Sequence, residues 1–423
     1  MNLDNVPHVV YHVASMGNWK DVVNHQLRLL RQVGLHQDVR ITYLGDELQW
    51  LEDRCRVHGV NAKVVRTDSN TDHYETFAML EVEQLAKETY RPILYFHTKG
   101  VSNPGHAQKT AWRRLMEEWV IRRWEENVTH LQGKDPYDAV GVSWWESGEQ
   151  HFSGNFWIAR PEWIRRLPHF RNYHIQKNHT RFSCEMWLGA AQFCKAYSLG
   201  CKNEILSWHP CENLMPPEFP KKGKLPITVL IPTIPPREMM FKRALQSVLD
   251  QTYEVEWVMQ VDLNHEGSSV TRNKALKKVT TEFVAFLDDD DELYPDHCAK
   301  LYDEMLRTKA DVVYPGCIVL DANETPITLN EQWGRFGKPF DPVLLREQSY
   351  VPVTSLVRTE LARKSGFKRA EGTDYDDWGF YLGLLDAGAK FVHLPEVTWK
   401  WNHWGYGTQT RAGNTSGMPN RWS

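Results

Sequence analysis

The sequence has no long apolar run, and nothing in its 423 residues approaches the length that a membrane-spanning helix needs. Its first ten residues carry Asp4 and Pro7 where a secretory signal would have a cationic stretch followed by an apolar one, so a cytoplasmic protein is expected. Neither sign of charge is in excess. With 50 Lys+Arg against 54 Asp+Glu, the whole surface is not a polyanion-binding field, and only a local basic patch is left open. Cysteines are few and odd in number: Cys55, Cys184, Cys194, Cys201, Cys211, Cys298 and Cys317 include no C-x-x-C pair, which argues against a disulfide framework or a zinc ribbon. Ordinary reduced thiols are the simple reading, and a metal shared by Cys201, His209 and Cys211 is the alternative. A glycine-rich phosphate loop is also missing after the strand at Ile227–Ile231, where the chain reads Pro232-Thr233-Ile234-Pro235. That weighs against a nucleotidyltransferase.

What is present is an ordinary globular composition, 41% hydrophobic and 25% charged, on a chain long enough for more than one core. The 18 tryptophans suit sugar faces, although many of them serve a core. From His209 to Pro226 the chain collects Pro210, Pro216, Pro217, Pro220 and Pro226 with Lys221, Lys222, Gly223 and Lys224, a composition that interrupts helix and strand alike. This predicts a domain over 1–210, a linker over 211–226 and a second domain over 227–423. On both sides strands alternate with helices, the pattern of α/β domains around a mostly parallel sheet.

In the first half, strands are expected at His8–Ala14, Arg40–Leu44, Ala62–Arg66 and Pro92–His97. A long helix around Trp112, Leu115, Met116, Trp119 and Val120 carries Arg113, Arg114, Glu117, Glu118, Arg122 and Arg123, expected as a solvated face laced with ion pairs. In the second half, strands are expected at Ile227–Ile231, Glu256–Val261 and Glu282–Leu287. A helix after Asp296 should bury Cys298, Leu301, Tyr302, Met305 and Leu306. Another, from about Asp376, should bury Trp378, Tyr381, Leu382 and Leu385 and stop at Gly388.

The strongest chemical signal is Asp288-Asp289-Asp290-Asp291-Glu292, five consecutive carboxylates directly after the apolar strand ending at Phe286-Leu287. Their mutual repulsion calls for a cation. Hard oxygen ligands at the C-terminal end of a strand suit Mg²⁺ or Mn²⁺ shared with substrate phosphates, and an acidic surface turn is the bland alternative.

At this point the second half resembles glycosyltransferase family 2, the nucleotide-sugar transferases of the GT-A fold. The elements occur in family order across Leu225 to Thr410: Val229-Leu230-Ile231-Pro232-Thr233, Val258-Met259-Gln260-Val261-Asp262, Val270-Thr271-Arg272-Asn273-Lys274-Ala275-Leu276, Asp288-Asp289-Asp290, Asp376-Asp377-Trp378 and Trp401-Asn402-His403-Trp404-Gly405. The resemblance implies donor contacts from Pro232, Thr233, Asp262, Arg272, Asn273, Asp288 and Asp289. It implies a metal held by Asp288 and Asp290, as in a D-x-D motif, with His403. It further implies an inverting transfer of a sugar from a nucleotide sugar, by implication a UDP-sugar, to an acceptor hydroxyl of a polysaccharide, a protein or a modified DNA base. The base would be Asp377, with Asp376 beside it. Asp374 offers a competing register, and Asp377 at a helix start is favoured by the helix dipole in its ionised form.

The first half has no acidic pair where its fourth strand ends, at His97-Thr98-Lys99-Gly100. Phe152-Ser153-Gly154-Asn155-Phe156-Trp157 and Cys184-Glu185-Met186-Trp187 are placed like an acceptor-side strand and a base-bearing helix. This half looks like a diverged GT-A-like domain of bacterial and phage multidomain glycosyltransferases. Three readings stay open: a metal-independent transferase in which Lys99 replaces the cation and Glu185 is the base, which would make the chain bifunctional; an inactive copy that serves acceptor binding or assembly; and ordinary strand-end residues. For the whole chain, the rivals to an enzyme that moves a sugar are a carbohydrate- or nucleotide-binding protein without turnover and a nucleotidyltransferase.

Overall fold

The computed structural model describes residues 5–101, 106–146, 148–191, 193–202, 215, 221–327, 338–373 and 375–403. The chain divides into two compact units, Met1–Phe219 and Pro220–Ser423. His209, Cys211 and most of the proline-rich stretch lie outside the described residues, as do Asp374, Trp404 and Gly405. Among the described residues no helix is long and apolar enough to cross a membrane.

The first unit is built on strands β1 (His8–Ala14), β2 (Val39–Leu44), β3 (Ala62–Asp68), β4 (Ile93–His97), β5 (Ala139–Trp145), β6 (His151–Phe152), β7 (Trp157–Ala159) and β8 (Ala196–Lys202). They form one sheet in the order β3-β2-β1-β4-β7-β5-β6, with β8 on β5. Strands β1 to β4 are parallel, and β7 runs antiparallel to both β4 and β5. The run of β1 is unbroken by polar alternation because both of its faces are covered. Val9, Tyr11 and Val13 enter one apolar cluster and Val10 the other.

One expectation fails here. The helix Ala107–Met116 runs on into a π-helical turn, Glu117–Arg122, and Arg113 and Glu117 are buried instead of solvated. The cause is a second polar layer. Gln26, on the helix Trp19–Gln32, donates to Glu117 Oε1 at 2.8 Å. Arg113 lies 3.4 Å from the same carboxylate and donates to the Lys99 carbonyl at 3.2 Å. Arg122 and Glu118 form the expected i,i+4 pair.

The second unit carries β9 (Lys224–Thr233), β10 (Glu254–Val261), β11 (Phe283–Phe286), β12 (Glu292–Leu293), β13 (Val312–Leu320), β14 (Leu356–Arg358) and β15 (Phe391–Asn402), in the order β10-β9-β11-β14-β13-β15-β12. Strand β9 starts three residues earlier than expected and contains Pro226. Proline fits there because the register with β10 slips between Glu254 and Glu256, so the missing N–H falls at an irregularity in the ladder. Val229 and Ile231 point into one cluster and Leu230 into the other, again a strand covered on both faces. The helix His297–Thr308 buries Cys298, Leu301 and Met305 as expected, but Leu306 is 55% exposed, one step around the helix from Met305. The helix Asp376–Asp386 ends before Gly388, whose φ of 76° is the left-handed conformation that glycine adopts at no steric cost.

Both units therefore have the expected α/β class. Their topologies also agree. Along β2-β1-β4-β7-β5-β8 the pairings run parallel, parallel, antiparallel, antiparallel, parallel, and along β10-β9-β11-β14-β13-β15 they run the same way. The end of β4 in one unit is thus the topological counterpart of the end of β11 in the other.

Candidate active site

Three neighbouring parallel strands of the second unit, β10, β9 and β11, end on the same side, the side where ligands collect in α/β sheets. Their ends supply Asp262, Thr233 and the turn Asp288–Asp291 to a cleft of about 450 Å³. Its lining carries the carboxylates of Asp262, Glu266 and Asp288 to Asp291 against the guanidinium groups of Arg237, Arg272 and Arg369.

The acidic turn is held by specific partners. Asp291 N–H closes it onto the Asp288 carbonyl at 3.1 Å. Asp289 accepts from Thr233 Oγ1 at 2.7 Å and from Arg237 at 2.9 Å. Asp291 accepts from the Asn402 N–H at 2.9 Å, and the Asn402 side chain donates to the Asp290 carbonyl. The Asp290 carboxylate is buried, with Arg237 at 3.7 Å. Burial and the adjacent Asp289 push its carboxyl up to about 7. Across the cleft, Asp262 accepts the backbone N–H groups of Glu266 and Gly267 at 2.9 and 2.8 Å. Burial alone would raise this carboxyl, but those amides hold it below its ordinary value.

Arg272 ties the cleft together. It is buried on the helix Ser268–Leu276, donates to both oxygens of Asp376 at 2.9 Å and also to Asp288, and lies 5.3 Å over the Phe367 ring. Ser268 and Ser269 add hydroxyl donors to Asp376 at 2.8 and 3.2 Å. Burial would raise the Asp376 carboxyl, but Arg272 and the serines hold it low. Asp377, the next residue, accepts from the Trp378 N–H at 2.8 Å and remains partly exposed. Burial, and then Asp376, push its carboxyl up to about 6. The expected preference of the helix dipole for the ionised form is outweighed here.

The turn fits a hard divalent cation. Among the described residues no group of three or more His, Cys, Asp or Glu is arranged to hold a metal by protein ligands alone. Mg²⁺ and Mn²⁺ sites of this kind use one or two carboxylates and complete the shell with substrate phosphates. Crowded oxygens at Asp288 and Asp290, facing an open cleft, meet that requirement.

A family model described as Glycosyl transferase family 2 matches residues 258–366. This match lies within the C-terminal unit. A second model, a domain of unknown function (DUF8361), matches residues 9–203. No curated protein matches the sequence. Among solved structures, S. aureus TarS 1-349 aligns at 18% identity over 42% of this chain and 60% of that chain, with a TM-score of 0.34. The mannosyltransferase PcManGT from Pyrobaculum calidifontis, in complex with GDP-Man and Mn2+, aligns at 14% identity over 43% and 60%, with a TM-score of 0.31. The chain thus spans about 60% of the length of these structures, and likeness at such scores carries no argument about substrate.

The residues singled out from the sequence are not all brought together. Pro232, Thr233, Asp262, Arg272, Asp288, Asp289 and Asp290 line the cleft of the C-terminal unit, while Asp376, on Arg272, and Asp377 after it are outside that lining. Asn273 is placed elsewhere. Its amide donates to the Phe367 carbonyl and accepts from the Phe367 N–H, both at 2.8 Å, so it brackets a loop and does not line the cleft. His403 follows Asn402, its N–H on the Leu320 carbonyl at 2.7 Å and its ring 5.5 Å from that of Trp401. Lys99 and Glu185 meet each other in the first unit, at 3.3 Å. Sequence reasoning missed Arg237 and Arg369. The signal for Arg237 was charge balance: a cation four residues past the strand-end Thr233, opposite five carboxylates.

Proposed function

We propose that the C-terminal domain transfers a sugar from a nucleotide sugar, a UDP-sugar by family resemblance, to an acceptor hydroxyl with inversion, using Mn²⁺ or Mg²⁺. The observation that supports this is the convergence of three strand ends on one cleft lined by Asp262, Asp288 and buried Asp290, with Arg272 linking Asp288 to the helix start at Asp376. Asp288 and Asp290, completed by the donor phosphates, would hold the ion, which when bound supplies Lewis-acid stabilisation of the leaving diphosphate; His403, the third ligand expected by resemblance, forms no three-ligand group with them among the described residues. The lone pairs that Asp262 does not spend on loop amides are suited to nucleoside hydroxyls. Arg237 and Arg369 supply positive charge along the path of the phosphates.

Asp377 acts as the base: its carboxylate accepts the acceptor hydroxyl's proton, and a carboxyl near 6 is ionised at neutral pH while still basic enough to take it. Asp376, saturated by Arg272 and two serines, orients this helix start and has no role as a proton acceptor. The free thiols Cys55, Cys184, Cys194, Cys298 and Cys317 suit the reducing cytoplasm.

Incubation of the full chain with a panel of nucleotide sugars and candidate acceptors, followed by mass spectrometry, tests the reading. Free or transferred sugar with release of a nucleoside diphosphate supports it. Nucleotide exchange would make the protein a nucleotidyltransferase, and binding without any product would make it a lectin-like or nucleotide-binding protein.

A further inference from the structure

The first unit has its own strand-order reversal. From β1 the sheet grows to β2 and β3 on one side, and the chain then returns to β4 on the other, so the C-terminal ends of β1 and β4 flank the crevice where α/β sheets take ligands. The Ala14 N–H donates to Thr98 Oγ1 across this point at 3.0 Å.

Directly after it, Lys99 Nζ meets Glu185 Oε1 at 3.3 Å, the two side chains being 20% and 19% exposed. The Gly154 N–H donates to the same carboxylate oxygen at 3.2 Å. Lys99 also lies over the Trp112 ring at 4.5 Å, and the indole Nε1 of Trp112 is buried without a hydrogen-bond partner among the described residues. His151 acts electrostatically on both members of the pair and stacks on Trp145 with ring planes 1° apart. At Gly154, φ is 91° and a Cβ would lie 2.5 Å from Met116 Sδ, so only glycine presents this N–H. A fold does not need such a pair, since apolar side chains of similar volume stabilise a half-buried position as well.

The charge at this point decides the ligand class. Glu185 neutralises Lys99, and Glu75 adds a second carboxylate 3.5 Å from His97. Burial lowers the pKa of both His97 and His151, which leaves them neutral at neutral pH. Among the described residues the Lys99 ammonium is thus already paired with a carboxylate, an arrangement that suits hydroxyls better than a phosphate.

We infer that the first unit carries a saccharide site at the end of β4, in which ring hydroxyls donate to Glu185 and accept from Lys99 while Trp145 and His151, both partly exposed, supply aromatic surface. Carboxylate and ammonium side by side match the mixed donor and acceptor character of adjacent hydroxyls. This inference is independent of the chemistry proposed for the C-terminal domain.

The test uses the full chain in EDTA, titrated by calorimetry with neutral gluco-, galacto-, manno- and N-acetylhexosamine oligosaccharides, and in parallel with inorganic phosphate and UDP. At least one oligosaccharide should bind. Its affinity should fall at least tenfold in Glu185→Gln and in the double variant Lys99→Met with Glu185→Leu, while the melting temperature and the Mn²⁺-supported hydrolysis of donor stay as in wild type. If the pair variants do not fold, Trp145→Ala at the rim should show the same loss. The inference is overturned if no oligosaccharide binds, if binding survives these changes, or if Lys99→Met instead removes affinity for phosphate or UDP. Donor hydrolysis in Mn²⁺ is read separately, so failure of the C-terminal assignment leaves this result interpretable.

Discussion

Replacing Arg272 by methionine removes a group that joins the acidic turn to the helix bearing Asp377. The Arg272 and Asp376 side chains are 8% and 10% exposed, and Arg272 Nη1 donates to both carboxylate oxygens at 2.9 Å. Methionine keeps most of the volume, so the loss is electrostatic: Asp376 is left as a buried carboxylate with two serine hydroxyls. Breaking a buried pair on one side costs roughly 3–5 kcal/mol, and Asp288, a third exposed, adds little to that. The penalty has a defined pH dependence. The folded Asp376 carboxyl lies below its ordinary value of 3.8, so its stabilisation is complete above that value and is lost as pH falls through the lower, folded one. Urea unfolding of wild type and Arg272→Met should therefore differ by the full amount at pH 7, and the gap should close below about pH 4. A gap under about 1 kcal/mol at pH 7, the size of an exposed pair, or one that persists unchanged at pH 3, would refute the reasoning.

Asp377→Asn should lower the catalytic rate by about two to four orders of magnitude, with nucleotide binding retained in calorimetry. In wild type the rate should rise with pH through about 6 and then level off, since Asp377, facing Asp376, Asp288 and Arg272, must be ionised to accept a proton; a flat profile from pH 5 to 8 would contradict this role. Asp376→Asn should instead lower thermal stability more than Asp377→Asn does, because it removes the more buried of the two carboxylates that Arg272 pairs with, and differential scanning calorimetry of the two variants orders them. Asn273→Ala removes two hydrogen bonds to the Phe367 backbone and should cost about 1–3 kcal/mol in chemical unfolding while leaving the donor KM unchanged. A raised KM would return Asn273 to the cleft.

The strand ends were the most legible part of the chain. An apolar run covered on both faces, followed at once by carboxylates, states both the buried strand and the functional end, and β9 and β11 lie within three residues of where the pattern put them. Partners distant in sequence were not legible. Arg272 reaches Asp376 across 104 residues, and Lys99 reaches Glu185 across 86; no local pattern encodes either pairing. The charged helix near Arg113 misled for the same reason. Spacing alone gives a solvated face, and only the packing of Gln26 against Glu117 shows that this side is covered. Asn273 was misplaced because a motif position tells which turn a residue occupies, and not whether its amide faces a ligand or a loop.

The most direct test of the central claim is sugar release from UDP-sugars by the full chain, followed with added Mn²⁺, with EDTA, and with Asp290→Asn in Mn²⁺. Release that is supported by Mn²⁺, abolished by EDTA and absent in a folded Asp290→Asn is the predicted result. Release that continues undiminished in EDTA, or at the wild-type rate in Asp290→Asn, would contradict a metal-dependent transferase site at this cleft.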